Sequence, residues 1–368
     1  MSGPRLTALA ASLPATVPFV GPDTLERQMG HGFEARIGAN ESVFGPSPKA
    51  LDAMTRALSE VWKYPDAESF DLREALSAHL GVGMANILVG AGIDGLLGSL
   101  VRLVVAPGDA VVTSRGAYPT FNYHVAGFGG DLHFCDYRDD RDDPEALSNK
   151  ARETGAKLIY LSNPDNPMGS WHGADRIARM IEDLPDGCLL VLDEAYLECS
   201  DETTAPRLNT DDPRVIRMRT FSKAYGLAGA RIGYAIAHAD LIAAFGKVRN
   251  HFGVGRISQI GALAALQDQD HLTDIRRRIA DSRNRLGAIA KQNGLVPLPS
   301  ATNFVALDTG RDGVATRAIL EALAARRVFV RMPGVAPLDR CLRVTCGPSE
   351  AMDLFARALP DALAAAGP

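Results

Sequence analysis

Between residues 87 and 237 the chain returns repeatedly to short runs of Val, Ile and Leu with no polar alternation. These are ILV (87–89), AVVT (110–113), LHFC (132–135), KLIYL (157–161), CLLVLD (188–193), RVIRM (214–218) and RIGYAIA (231–237). A strand with one face in water alternates polar and apolar residues, whereas a continuous apolar run suits a strand covered on both faces. Helix-like stretches near 93–105 and 118–128 separate the first of these runs. Strands joined through helices make right-handed crossovers and pair in parallel. The expected fold is therefore α/β, with a large, doubly wound, mainly parallel sheet.

The flanks read differently. A helical pattern runs from about 49 to Glu60, and a second helix, DLREALSAHL, stops at Gly81, a residue suited to a helix C-terminus. Beyond 255 helix-like stretches fill most of 256–292, followed by NFVAL (303–307), a helix near 314–326, VFVR (328–331), CLRVT (341–345) and a last helix near 349–364. That order predicts a smaller α/β lobe with an antiparallel element. Residues 1–48, rich in Pro and Gly and weakly periodic, predict an extended arm that lies on another surface. The expected division is an arm over 1–48 joining the small lobe, a large lobe over 49–250 and a small lobe over 251–368.

Composition removes several classes of function. The 368 residues carry a net charge of −5, without the basic excess that binding to nucleic acid requires. Five cysteines (Cys135, Cys188, Cys199, Cys341, Cys346) form no C-x-x-C pair and read as reduced core thiols of a cytoplasmic protein. No histidine cluster has zinc-ligand spacing. The run Leu96–Ala106 is far short of the ~20 residues of a membrane span and contains Arg102. Arg5 and LTALAASLPA resemble an export signal only faintly.

Gly90-Ala-Gly92-Ile-Asp-Gly95 fits G-x-G-x-x-G after a strand and before a helix, the context of a dinucleotide site. The next strand, however, ends in Ser114-Arg115 and not in the acid that would hold a ribose hydroxyl. A NAD(P) oxidoreductase that uses Arg115 stays open as a minor alternative. The less specific expectation is an anion at the helix N-terminus.

Four further segments carry polar residues at strand ends: SNPDNPMG (162–169), DEAY (193–196), TFSK (220–223) with Arg231, and LRVT (342–345). The first three can converge, because ligands of doubly wound sheets bind beyond the carboxyl ends of strands. In order and spacing, NPDNPMG, LDEAY, SKAYGLAGARIGY and LRVT resemble the signatures of fold-type I pyridoxal-phosphate aminotransferases. ANESVFGPSP (39–48), KYPD (63–66) and Val330-Arg331 resemble the histidinol-phosphate branch.

The resemblance implies pyridoxal 5'-phosphate, held by Lys223 as a Schiff base. Such a lysine must be largely neutral when it acts, and nearby Arg231 and partial burial should lower its pKa. Asp193 pairs with the pyridine nitrogen, while Tyr196 and Asn166 donate to the phenolic oxygen. Gly92, Ile93 and Asp94 at a helix N-terminus, with Thr220, Ser222 and Arg231, hold the phosphate, Asp94 through its N–H. The family's second acid after this aspartate is replaced by Gly95. Phe121 stacks on the ring, with Tyr118 as competitor. Tyr64 reaches the phosphate of a second copy, so a homodimer is implied.

On the substrate side, Arg343 grips a carboxylate or phosphate, Arg331 meets a distal anion, and Asn40 borders the substrate. The family's N-E-N-P reads Asn40-Glu41-Ser42-Val43 here. Arg249, His251 and Arg256 either read an acidic side chain or are solvated helix charges. The implied activity moves an amino group from histidinol phosphate, or an aromatic or other amino acid, to a 2-oxo acid such as 2-oxoglutarate. A decarboxylase or lyase of the same fold, similar to threonine-phosphate decarboxylase, is the alternative. Neither nucleic acid nor membrane is an expected partner.

Overall fold

The computed structural model describes residues 3, 5–15, 20–200 and 203–367. Helix Pro48–Ala57 begins where Ser47 accepts hydrogen bonds from the Lys49 and Ala50 N–H groups, with proline at its first position. Helix Phe70–Leu80 ends at Gly81, whose φ of 68° is the left-handed conformation that glycine adopts at no steric cost.

In chain order the strands are β1 (Ala35–Arg36), β2 (Ile87–Gly90), β3 (Ala110–Ser114), β4 (Asp131–Cys135), β5 (Leu158–Ser162) and β6 (Leu189–Asp193). There follow β7 (Val215–Thr220), β8 (Gly233–Ile236), β9 (Val296–Pro297), β10 (Phe304–Asp308), β11 (Val328–Phe329) and β12 (Cys341–Thr345). Seven of them form one sheet in the order β2-β8-β7-β6-β5-β3-β4. Pairing is parallel from β7 through β4, but β8 runs antiparallel to both β2 and β7. The reason lies in the short connection between Thr220 and Gly233, which holds only one turn of 3₁₀-helix, Ala228–Ala230. A parallel return needs a full crossover, usually a helix.

Helix Gly92–Val104 covers one face of this sheet with Leu96, Leu97, Leu100 and Val101. The other face shares a continuous core with the second lobe, in which Phe221 and Tyr234 join Ile275, Phe304, Val344 and Phe355. That lobe is built on the antiparallel strands β9, β10 and β12.

Two expectations change. VFVR does not enter the β10–β12 sheet: β11 pairs in parallel with β1, and Arg331 then makes an isolated bridge to Arg343. The arm is not simply extended either, since it contains helices Ala8–Ser12 and Pro22–Met29 before β1. The second helix is held by Asp23 and Glu26, which both pair with Arg36. Helix Arg256–Gln267 packs on Pro48–Ala57, so closely that a Cβ on Gly261 would lie 2.6 Å from Met54 Sδ. All five cysteines are buried and unpaired. Among the described residues there is no metal-ligand cluster, and no helix is long and apolar enough to cross a membrane.

Candidate active site

A cavity of about 830 Å³ opens beyond the carboxyl ends of β5, β6 and β7. Parallel pairing sets Ser162 beside Asp193 and Asp193 beside Met218, so the segments that follow these strands emerge together. Lys223 and Asp193 both line the cavity.

Lys223 is half-buried, and its Nζ donates to the Asn40 carbonyl at 3.1 Å and lies 5.4 Å from the Tyr196 ring centre. Its pKa is lowered to about 8, first by burial and then by Arg343. Arg231, which the sequence suggested as a main cause, contributes less than either. Asp193 is 4% exposed. Its Oδ2 accepts from the Tyr160 hydroxyl at 2.7 Å and its Oδ1 from the Ala195 N–H at 3.0 Å. Burial nonetheless pushes its pKa up to about 6. A buried carboxylate with only neutral hydrogen-bond donors is a site prepared for a cation.

Tyr196 is buried edge-on against Phe304 and accepts from Asn40 Nδ2 at 3.1 Å. Burial raises its pKa further, so the phenol keeps its proton and can donate it. The carbonyl oxygen of Asn166 accepts from Arg343 Nη1 at 2.5 Å, which fixes the amide with its N–H groups on the other side. Asn40 ties these parts together from the chain's other end. Its N–H donates to Thr345 Oγ1, and its carbonyl accepts from both Lys223 and Asn303.

Thr220, Ser222 and Arg231 form a second polar cluster. The Thr220 hydroxyl donates to Ser222 Oγ at 2.9 Å, and Arg231 Nη1 reaches the same oxygen at 3.5 Å. Gly92 has φ +73°, and a Cβ there would lie 2.6 Å from Arg231 Nη2. The second glycine of the G-x-G-x-x-G, Gly92, thus admits an arginine to the helix N-terminus, an anion site that needs no dinucleotide. Ile93 and Asp94 line the cavity beside it. The Asp94 carboxylate is engaged by His124 Nε2 at 2.9 Å, which leaves its N–H for a ligand.

At the opposite wall, Arg343 lies half-buried against Phe304 and also donates to the Gly38 carbonyl. Burial lowers its pKa to about 10. Arg331 is its backbone neighbour, lines the same cavity and donates to the Val20 carbonyl at 2.8 Å.

Four candidates fall elsewhere. Phe121 is fully buried, stacked on Tyr160 with ring centres 4.6 Å apart, and does not line the cavity. Helix Pro119–Gly127 begins just after Tyr118, so Phe121 turns into the core while Tyr118 faces the opening. Tyr64 is 80% exposed, packs on Phe252 and lies outside this chain's own cavity. Arg249 and Arg256 also lie outside it: Arg249 binds the Ala67 carbonyl and Glu68, and Arg256 approaches Glu60.

Sequence reasoning missed His124, Tyr160 and Glu41. Gly98 makes room for His124 in the fold, since a Cβ there would lie 2.8 Å from its ring.

The residues suit pyridoxal phosphate at each of its functional groups: a buried carboxylate for a ring cation, an amine with a lowered pKa, and hydroxyl, guanidinium and helix N–H donors for a phosphate. The architecture is that of the fold-type I pyridoxal-phosphate-dependent enzymes. A model of the aminotransferase class I and II family matches residues 36–359, and the chain belongs to that family. A histidinol-phosphate aminotransferase of Moorella thermoacetica is 32% identical over 368 residues, spanning 98% of this chain and 94% of its own length. One of Nitrosococcus oceani is 35% identical over 344 residues, 93% of this chain and 92% of its own. The crystal structure of histidinol-phosphate aminotransferase from Sinorhizobium meliloti in complex with pyridoxal-5'-phosphate superposes with a TM-score of 0.96. It is 54% identical and covers 99% of this chain and 98% of that one.

Proposed function

We propose that the protein moves the amino group of histidinol phosphate to a 2-oxo acid such as 2-oxoglutarate, in the cytoplasm, with pyridoxal 5'-phosphate as its resident cofactor. The observation that carries the donor assignment is the bridge between Arg331 and Arg343, which sets two guanidinium groups at one wall of the cavity. A second anion site, Thr220, Ser222 and Arg231, lies apart from it, and the Lys223 amine faces the same space. An amino-alcohol phosphate has no carboxylate, so paired arginines suit its one dianionic group. The relatives named above support the same assignment.

Pyridoxal phosphate, when bound, supplies an aldehyde that combines with amines and a ring that accepts the electron pair left at the substrate's Cα. The chain's own residues do the rest. Lys223, its pKa lowered to about 8 by burial, would hold the cofactor and then carry a proton from Cα to the carbon C4′. Asp193 keeps the ring nitrogen protonated, while Tyr196 and Asn166 donate to the phenolic oxygen. Gly92, Ile93 and Asp94 join Thr220, Ser222 and Arg231 around the phosphate, and Tyr118, in place of Phe121, stacks on the ring.

The test is a half-reaction panel. Loss of the pyridoxal absorbance and gain of the pyridoxamine form should be at least ~100-fold more efficient with L-histidinol phosphate than with L-histidinol or L-phenylalanine, as befits a phosphate held by two arginines. Carbon dioxide release from threonine phosphate, with no keto product, would assign a decarboxylase instead.

The reading includes a homodimer. Leu58, Val61, Trp62, Tyr64 and Phe252 expose apolar surface on one side of the chain, more than isolated surface residues would explain. Tyr64 then serves the partner's phosphate. Tyr64→Phe should weaken cofactor binding about tenfold, the value of one hydrogen bond to a charged group, in a particle that sediments as two chains. Unchanged affinity, or a monomer, would contradict the assignment.

A further inference from the structure

Three carboxylates line the cavity, and two of them are already engaged. Asp94 is held by His124, and Asp193 by Tyr160 and the Ala195 N–H. The third is Glu41, which follows the tightly fixed Asn40. Its backbone carbonyl accepts from Asn303 Nδ2, but its carboxylate makes no hydrogen bond or ion pair among the described residues. Its charge acts through space on both Lys223 and Arg331, favouring the protonated form of each. The carboxylate therefore shares the cavity with the reacting amine and the distal-anion arginine and lies within electrostatic reach of both.

A negative charge at that place weakens the hold of Arg331 on any anion. For a pocket that had only to bind anions it would be a defect. It becomes useful when the ligand in that cavity carries a hydrogen-bond donor. It also disfavours ligands with a second carboxylate at that point, since specificity rests as much on rejecting the wrong ligand as on holding the right one.

We propose that Glu41 is a specificity-determining residue of this aminotransferase, accepting an N–H from the nitrogen heterocycle of the amino donor. The inference rests on the donor reading above, in which the substrate joins an imidazole ring to a phosphate. Glu41 selects donors that pair an anion with a ring N–H, and it disfavours the second carboxylate of the 2-oxo acid that must use the same cavity in the return half-reaction.

The test compares two donors in wild type and Glu41→Gln. L-Histidinol phosphate carries the ring, while alaninol phosphate keeps the amine and the phosphate and replaces the ring with hydrogen. The ratio of kcat/KM for histidinol phosphate to that for alaninol phosphate should fall about tenfold in the variant, the value of one charge-assisted hydrogen bond. KM for 2-oxoglutarate should fall about threefold, as removal of a solvent-exposed like charge allows. Glu41→Asp, which keeps the charge on a shorter arm, should recover part of the ratio. An unchanged ratio, with both donors altered alike or neither altered, overturns the proposal. So does a KM for 2-oxoglutarate that rises. If wild type itself fails to convert histidinol phosphate, the donor reading falls and takes this proposal with it, a result distinct from an unchanged ratio in an active enzyme.

Discussion

Lys223→Ala, reconstituted with pyridoxal phosphate, should transaminate at least about 10⁴-fold more slowly than wild type, because one amine is both the anchor of the cofactor and the carrier of the proton. Lys223 is the one amine that lines the cavity; the other ionisable groups there are arginines, which stay protonated, tyrosines, and the carboxylates Glu41, Asp94 and Asp193, of which the last two are already engaged. Lys223→Arg should be no better: it restores a cation but not a group that can lose its proton near neutral pH. Single-turnover absorbance with saturating histidinol phosphate measures this, and an alanine variant within a hundredfold of wild type would contradict it.

Asp193→Asn should lower the same rate by about 10²–10³-fold, the range seen when one preorganised electrostatic group is removed from a transition state. The carboxylate sits at the end of β6, accepts from Tyr160 and Ala195, and has little access to water. Asparagine has a single acceptor oxygen for those two donors and no charge for a ring cation. Asp193→Glu keeps the charge, moved by one methylene, and should lie between. The variant should also bind the cofactor more weakly, as read from the concentration that restores the absorbance band. A rate within tenfold of wild type would show that the ring nitrogen is not served by Asp193.

Much of this was legible because the chemistry-bearing segments directly follow continuous apolar runs. KLIYL, CLLVLD and RVIRM mark the positions of β5, β6 and β7, and parallel pairing then forces Asn166, Asp193 and Lys223 together. What the pattern did not carry was direction and depth. An apolar run does not state its sense, so the antiparallel course of β8 had to come from the short link before it. Tyr118 and Phe121 are three residues apart, and only the start of the helix at Pro119 decides which of them meets the cavity. VFVR looked like a sheet strand, yet its partner is Ala35–Arg36, almost three hundred residues earlier. His124 and Glu41 act through contacts or fields that no local spacing encodes.

The central claim is that Lys223, its pKa lowered to about 8, shares its cavity with the buried Asp193 and takes up pyridoxal phosphate there. Cofactor-free protein should be mixed with pyridoxal phosphate at a series of pH values, quenched with borohydride after a fixed short time, and digested. Lysine reacts only when neutral, so with a pKa of about 8 the reduced label on the Lys223 peptide should rise with pH and level off above that value. Lys49, Lys63, Lys150, Lys157, Lys247 and Lys291, all outside the cavity, should stay unlabelled. Label spread over those lysines, or a yield on Lys223 that does not change with pH, would contradict the account.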